Sequence, residues 1–184
     1  MSQEDQDERL SEKIRSLRIH GASPKYYHSI IGGNFRLDAL QAAILNVKLN
    51  YLEHWIRRRQ EIADSYHLLF KKSGGDGQAG FALPFEAYRR RDVLHYHTYN
   101  QFVIRVRGRD ELRNFLRQKG IETAVYYPLP LHLQECFRDL GYKPGDFLQA
   151  ECASRETLAL PIYPEMTEDE QKGVAAAVRE FYRP

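Results

Sequence analysis

Gly32-Gly33-Asn34-Phe35-Arg36-Leu37-Asp38-Ala39-Leu40-Gln41-Ala42-Ala43 joins a pair of glycines to the start of an amphipathic helix. Glycine permits backbone angles and close approaches that other residues resist. Asn34 and Arg36 sit at the junction, where an amide, a guanidinium and the free N–H groups of a helix start converge as the parts of an anion site. The same residues also read as a plain helix entry, with Asn34 as the N-cap and Arg36 as a surface charge.

Downstream, Leu37, Leu40, Ile44 and Val47 keep helical spacing, and Leu52, Trp55, Ile56, Ile62, Tyr66 and Leu69 continue it to about Lys72. The stripe shifts near Asn50-Tyr51, which predicts a bend there. Upstream, residues 1–8 read as frayed and 9–20 as a short helix with Leu10, Ile14 and Leu17 on one stripe, stopped by Gly21. Between them lies a polar, aromatic loop with Pro24, Tyr26, Tyr27 and His28.

Ser73-Gly74-Gly75-Asp76-Gly77-Gln78-Ala79-Gly80 is the best domain boundary. It divides the chain into a helical segment, 1–72, and a small α/β domain, 73–184. In the second part Tyr99 to Val106 alternates as a strand, and Gly108-Arg109-Asp110 opens a helix with Leu112, Phe115 and Leu116. Gly120 stops that helix and Ile121 to Val125 reads as a returning strand. A short helix is predicted around Gln134–Leu140, another over 146–158, and a last one to about Tyr182. The last opens on Thr167-Glu168-Asp169-Glu170, a capping box.

Composition bounds the chemistry. The 184 residues are 42% hydrophobic and 28% charged, the profile of an ordinary folded chain. With 27 basic and 25 acidic residues, the balance gives no reason to expect nucleic acid. Arg57-Arg58-Arg59 and Arg89-Arg90-Arg91 read as solvated faces or loops. Cys136 and Cys152 are too few for a disulfide framework, and reduced thiols in a cytoplasmic protein are the simplest reading. No apolar run approaches the roughly 18 residues that cross a bilayer, and the acidic start is no signal peptide.

Tyr126-Tyr127-Pro128-Leu129-Pro130-Leu131-His132 cannot be regular helix. It reads either as a stiff wall presenting phenols and an imidazole to a sugar or phosphate, or as an aromatic packing corner. His95, His97, Tyr99 and Asn100 lack the spacing and carboxylates of a metal site, and His20 and His28 suit a loop better than a ligand. No Walker, Rossmann, nucleophile-elbow or His-Glu-x-x-His pattern occurs, so no catalytic set is complete.

Five blocks in order resemble the DegT/DnrJ/EryC1/StrS aminotransferases, pyridoxal-phosphate enzymes acting on nucleotide-linked keto-sugars. They are Ser11 to Gly21, Gly32 to Ala43, His97 to Arg105, Gly120 to Gln134 and Leu158 to Thr167. The resemblance implies the C-terminal part of a fold-type-I aminotransferase, with long helices followed by a small, largely antiparallel sheet flanked by helices. Family members are roughly twice this length, beyond the usual single domain. Their Schiff-base lysine precedes the segment matching residues 11–21, and no lysine here takes its place.

By resemblance, Asn34 contacts the cofactor phosphate of a partner subunit and Arg36 binds the nucleotide-sugar. Tyr126, Tyr127 and His132 face the same substrate. Gly33 stands where an aromatic is common and Tyr126 where histidine is usual. These departures bear on the sugar more than on the reaction. The implied amino donor is glutamate, and the implied assembly is a homodimer or a pairing with a front-half polypeptide. The chain alone is expected to be inactive. The competing expectation is a non-catalytic nucleotide-sugar-binding or dimerisation module.

Overall fold

A computed structural model describes residues 3–22, 24, 27–71, 80–89 and 96–183, with side chains from residue 7 onward. Most of the Ser73–Gly80 loop, together with Lys25, Tyr26, Lys72, Arg90, Arg91 and His95, lies outside the described residues. The chain divides into two compact units, 1–51 and 52–184.

The first unit holds α1 (Gln3–Leu17) and α2 (Ala39–Leu49). α1 starts earlier than the spacing of its apolar residues predicts. It also ends sooner, because Ile19 leaves the helix to pair with Asn34. Two further bonds fasten the glycine segment along the helix end: His20 N–H donates to Gly33 O (3.0 Å) and Gly33 N–H to Leu17 O (2.9 Å). Gly32 is required at this crossing, since a Cβ there would lie 2.5 Å from Leu17 O and 2.6 Å from Gly21 N.

α2 begins at Ala39, with Asp38 at the N-cap position (φ −65°, ψ 145°). The long helical stretch is interrupted at Asn50-Tyr51, where the stripe shifts. α2 buries none of its residues, and the buried apolar side chains of the described residues all fall at Ile56 or later.

The second unit contains α3 (Leu52–Lys71), β1 (Phe81–Ala82), β2 (Phe102–Val106), α4 (Arg109–Gln118), α5 (Leu148–Glu156), β3 (Thr157–Leu160) and α6 (Glu168–Phe181). The strands form an antiparallel sheet in the order β1-β2-β3. Central β2 turns Phe102, Ile104 and Val106 into the core and Arg105 outward, the period-two alternation of its sequence. Its register with β3 sets Phe102 opposite Leu160 and Ile104 opposite Leu158. Onto this sheet pack Ile62, Tyr66 and Phe70 of α3, Leu112 and Leu116 of α4, and Val174 and Val178 of α6. Each such buried side chain contributes roughly 1.5–3 kcal/mol. That burial ties α3 to the sheet, so the units part at Tyr51–Leu52 and not after Lys72.

Ile121–Val125 is not the returning strand its residues predict. β3 already occupies the edge of β2, leaving this segment one bridge, Ala124 to Ala159. Nor does the helix over 146–158 run its full length, because Thr157 and Leu158 pair with Arg105 and Ile104. Leu131–Leu133 and Glu135–Leu140 are 3₁₀ turns rather than one α-helix. The capping box forms as its residues predict: Glu170 N–H donates to Thr167 Oγ1 (3.3 Å) and Thr167 N–H to Glu170 Oε2 (2.8 Å).

Candidate functional site

The glycine junction of the first unit is held by backbone bonds on both flanks, which fixes where Asn34 and Arg36 leave the chain. Phe35 N–H donates to Arg18 O at 3.0 Å, and the Ile19–Asn34 bridge lies beside it. Asn34 is therefore not an N-cap: it is in an extended pairing, ahead of the helix that Asp38 opens. The helix N–H groups are correspondingly not part of an Asn34–Arg36 cluster. Instead Arg36 Nε donates to Asn34 Oδ1 at 2.8 Å. That bond uses Asn34's acceptor and leaves its amide N–H₂ and the terminal guanidinium nitrogens as donors. Both residues are exposed. An exposed set of donors carrying one positive charge suits a phosphate or another anion.

His20 and His28 line an open cavity of about 470 Å³ together with Gly32. His28 Nδ1 donates to the His20 carbonyl at 2.8 Å, which holds the imidazole against the turn.

In the second unit Tyr126 and Tyr127 are exposed, and their rings meet edge to face at 5.8 Å. Two prolines follow directly and keep the segment out of regular helix. Tyr126 lines a cavity of about 270 Å³ against β3. His132 is held inside the fold. Its imidazole is only 7% exposed, set 3.1 Å from Glu151 Oε1 and 4.8 Å from the Phe147 ring. Gly145 N–H donates to the same carboxylate oxygen at 2.7 Å. That backbone bond, with the imidazole behind it, holds the Glu151 carboxyl below its ordinary range. The group fastens the proline-rich segment to α5. Glu151 carries no local signal in the sequence, since it reads as one more polar helix residue.

A second polar network was also hidden. Glu86 accepts from Tyr99 OH and from Arg89 (2.8 Å), and Arg89 reaches Asp64 Oδ1 at 2.6 Å. Burial tends to raise the Glu86 carboxyl, but the bonds from Tyr99 and Arg89 outweigh it and leave the group below its ordinary value. Arg89 is exposed, as expected of a solvated charge, and also links Asp64 of α3 to Glu86. His97 Nδ1 accepts from Tyr99 N–H at 2.9 Å. Among the described residues no group of three or more His, Cys, Asp or Glu side chains could hold a metal ion. No helix among them is long and apolar enough to cross a membrane.

The arrangement of long helices followed by a three-stranded antiparallel sheet is that of aminotransferases. The crystal structure of S. venezuelae DesV in complex with a ketimine intermediate aligns with a TM-score of 0.81 at 35% identity, over 95% of this chain and 44% of that one. A DegT DnrJ EryC1 StrS aminotransferase from Brucella abortus aligns with a TM-score of 0.78 at 30% identity, over 95% and 44%. Residues 5–179 match the DegT/DnrJ/EryC1/StrS aminotransferase family, and the chain belongs to it. The pleiotropic regulatory protein of Geobacillus stearothermophilus is 46% identical over 96% of this chain and 45% of its own length. The dTDP-3-amino-3,4,6-trideoxy-alpha-D-glucose transaminase of Streptomyces venezuelae is 37% identical over 95% and 44%. The chain thus spans less than half the length of the curated relatives it matches.

Proposed function

We propose that this chain forms one part of a pyridoxal-phosphate-dependent aminotransferase that moves an amino group onto a nucleotide-linked keto-sugar. The observation that carries the reading is the Asn34–Arg36 pair, set on a backbone-pinned glycine turn in a chain that matches sugar transaminases over nearly its whole length.

The donor chemistry of that turn fits the cofactor's phosphate. Asn34 offers N–H₂ donors with its oxygen already committed to Arg36, and it carries no acceptor that would repel the anion. When bound, pyridoxal phosphate supplies the electron sink for breaking a Cα–H bond and carries the amino group. The residues of this chain bind and orient. Asn34 holds the phosphate. Arg36 bonds the charged linkage of the nucleotide-sugar. Tyr126 and Tyr127 offer phenol hydroxyls and ring faces to the substrate. His132, gripped by Glu151, keeps that loop in place and does not touch substrate in this conformation. No lysine of this chain is assigned to the Schiff base. The amino donor we assign is glutamate, and the assembly a homodimer or a pairing with a front-half polypeptide.

Mixing the chain with a front-half polypeptide carrying the Schiff-base lysine tests the reading. The expected result is the absorbance of bound cofactor together with turnover of a nucleotide-linked keto-sugar, neither appearing with the chain alone. Asn34→Ala is expected to weaken cofactor binding about tenfold, the loss of one charge-assisted hydrogen bond. Unchanged cofactor affinity in that variant, or no turnover with any front half, would overturn it.

A further inference from the structure

Residues 125–129 carry Tyr126 and Tyr127, yet among the described residues no backbone hydrogen bond ties them to the rest of the chain, and neither phenol makes one. Where the two rings stand is therefore decided at the ends of the segment. One end is a double bond to β3: Ala124 N–H donates to Ala159 O at 3.2 Å, and Ala159 N–H to Ala124 O at 2.8 Å. The other is His132, set 3.1 Å from Glu151 Oε1. Pro128 and Pro130 fix φ between the two ends, so a shift at one is carried along the segment.

Both ends are referred to one continuous piece. α5, which carries Glu151, runs directly into β3, and β3 is fixed by its register with β2. Arg109 of α4 adds a bond to the Ser154 carbonyl at 3.1 Å. The His132 end depends on side chains alone. Its imidazole and carboxylate are 7% and 9% exposed. A carboxylate is costly to bury unless paired, and here a single oxygen accepts from Gly145 N–H at 2.7 Å and meets the imidazole. Apolar side chains of similar volume would hold two segments together as well or better. The polar pair adds direction, because a hydrogen bond fixes the orientation of the imidazole and an apolar contact does not.

We propose that Glu151 is a positioning residue for substrate binding: through the bonds its carboxylate oxygen accepts, it sets where His132 leaves Tyr126 and Tyr127. It touches no substrate itself. This role rests on the assignment of the two tyrosines to the nucleotide-sugar.

Nuclear magnetic resonance of the full chain labelled in tyrosine reads the position directly, because the Tyr126 and Tyr127 rings meet edge to face at 5.8 Å and shift one another's signals. Glu151→Ala removes both bonds, and Glu151→Gln keeps an oxygen for them. The expected result is that Glu151→Ala moves the Tyr126 and Tyr127 signals and Glu151→Gln leaves them near the parent's, while buried Tyr66 and Tyr99 report an intact core in both. In calorimetry with dTDP-glucose, Glu151→Ala binds about tenfold more weakly and Glu151→Gln within about twofold of the parent. If Glu151→Ala loses the core signals, Glu151→Leu combined with His132→Leu replaces it, an apolar pair expected to keep the core and still displace the rings. Ring signals or dTDP-glucose affinity equal to the parent's in the bond-removing variant overturn the positioning role while the substrate reading stands, and so does an equal loss in Glu151→Gln. If the parent does not bind dTDP-glucose, the substrate reading falls and the positioning role with it.

Discussion

His67 lies on α3 with its Nε2 atom buried and without a hydrogen-bond partner among the described residues. Burial pushes its pKa below the ordinary 6.5; Glu86 and Asp64 oppose that and Lys71 and Arg89 add to it. The folded chain therefore keeps the imidazole neutral at a pH where the unfolded chain protonates it. His67 contributes stability that is present above pH 6.5 and is lost as the pH falls through its lowered native value. The urea midpoint is expected to drop between pH 7 and pH 5.5, and His67→Phe should remove that part of the slope. An unaltered slope in the variant would rule the mechanism out. His132 differs from His67 in that its ring nitrogen bonds a carboxylate directly, Glu151 Oε1 at 3.1 Å, nineteen positions away. Neither environment can be read from the sequence, because both depend on groups brought together by packing.

The helices and strands were legible to different degrees, for reasons visible in their neighbours. α6 carries its own start signal, and its cap uses only Thr167 and Glu170, so local sequence specifies it. Thr167→Ala is expected to cost about 1 kcal/mol in chemical unfolding, the usual worth of an N-cap. A change within experimental error would show that tertiary packing alone sets that terminus. β2 was legible from alternation because one of its faces is buried and the other is not. β3 was not, because three of its four residues are buried and its run continues directly from α5 without a turn signal. The 121–125 segment failed the other way: it has strand-like residues but meets a partner at one position only.

Across the whole chain the burial is uneven, and that supports the fragment reading. Residues 52–184 build a core around the sheet, whereas α2 leaves Leu40 (74%), Ile44 (51%) and Val47 (61%) exposed. A helix with that much open apolar surface is stable in water only when something covers it. Ile44→Glu is expected to leave the unfolding midpoint of the 52–184 core unchanged while abolishing complementation by a front-half polypeptide. Complementation at parental yield would show that α2 is not part of the covered surface.

Residue order sufficed for family membership, the helical first part, the capping box, the α4 stripe and the β2 alternation. Each of these depends on neighbours within a few positions, or on blocks kept in order along the chain. Packing decided the rest. It put Asn34 in a pairing with Ile19, set His132 against Glu151, and let Arg89 link Asp64 to Glu86. These outcomes follow from hydrogen bonds and ion pairs between distant positions, whose energies depend on burial and distance that no local pattern encodes.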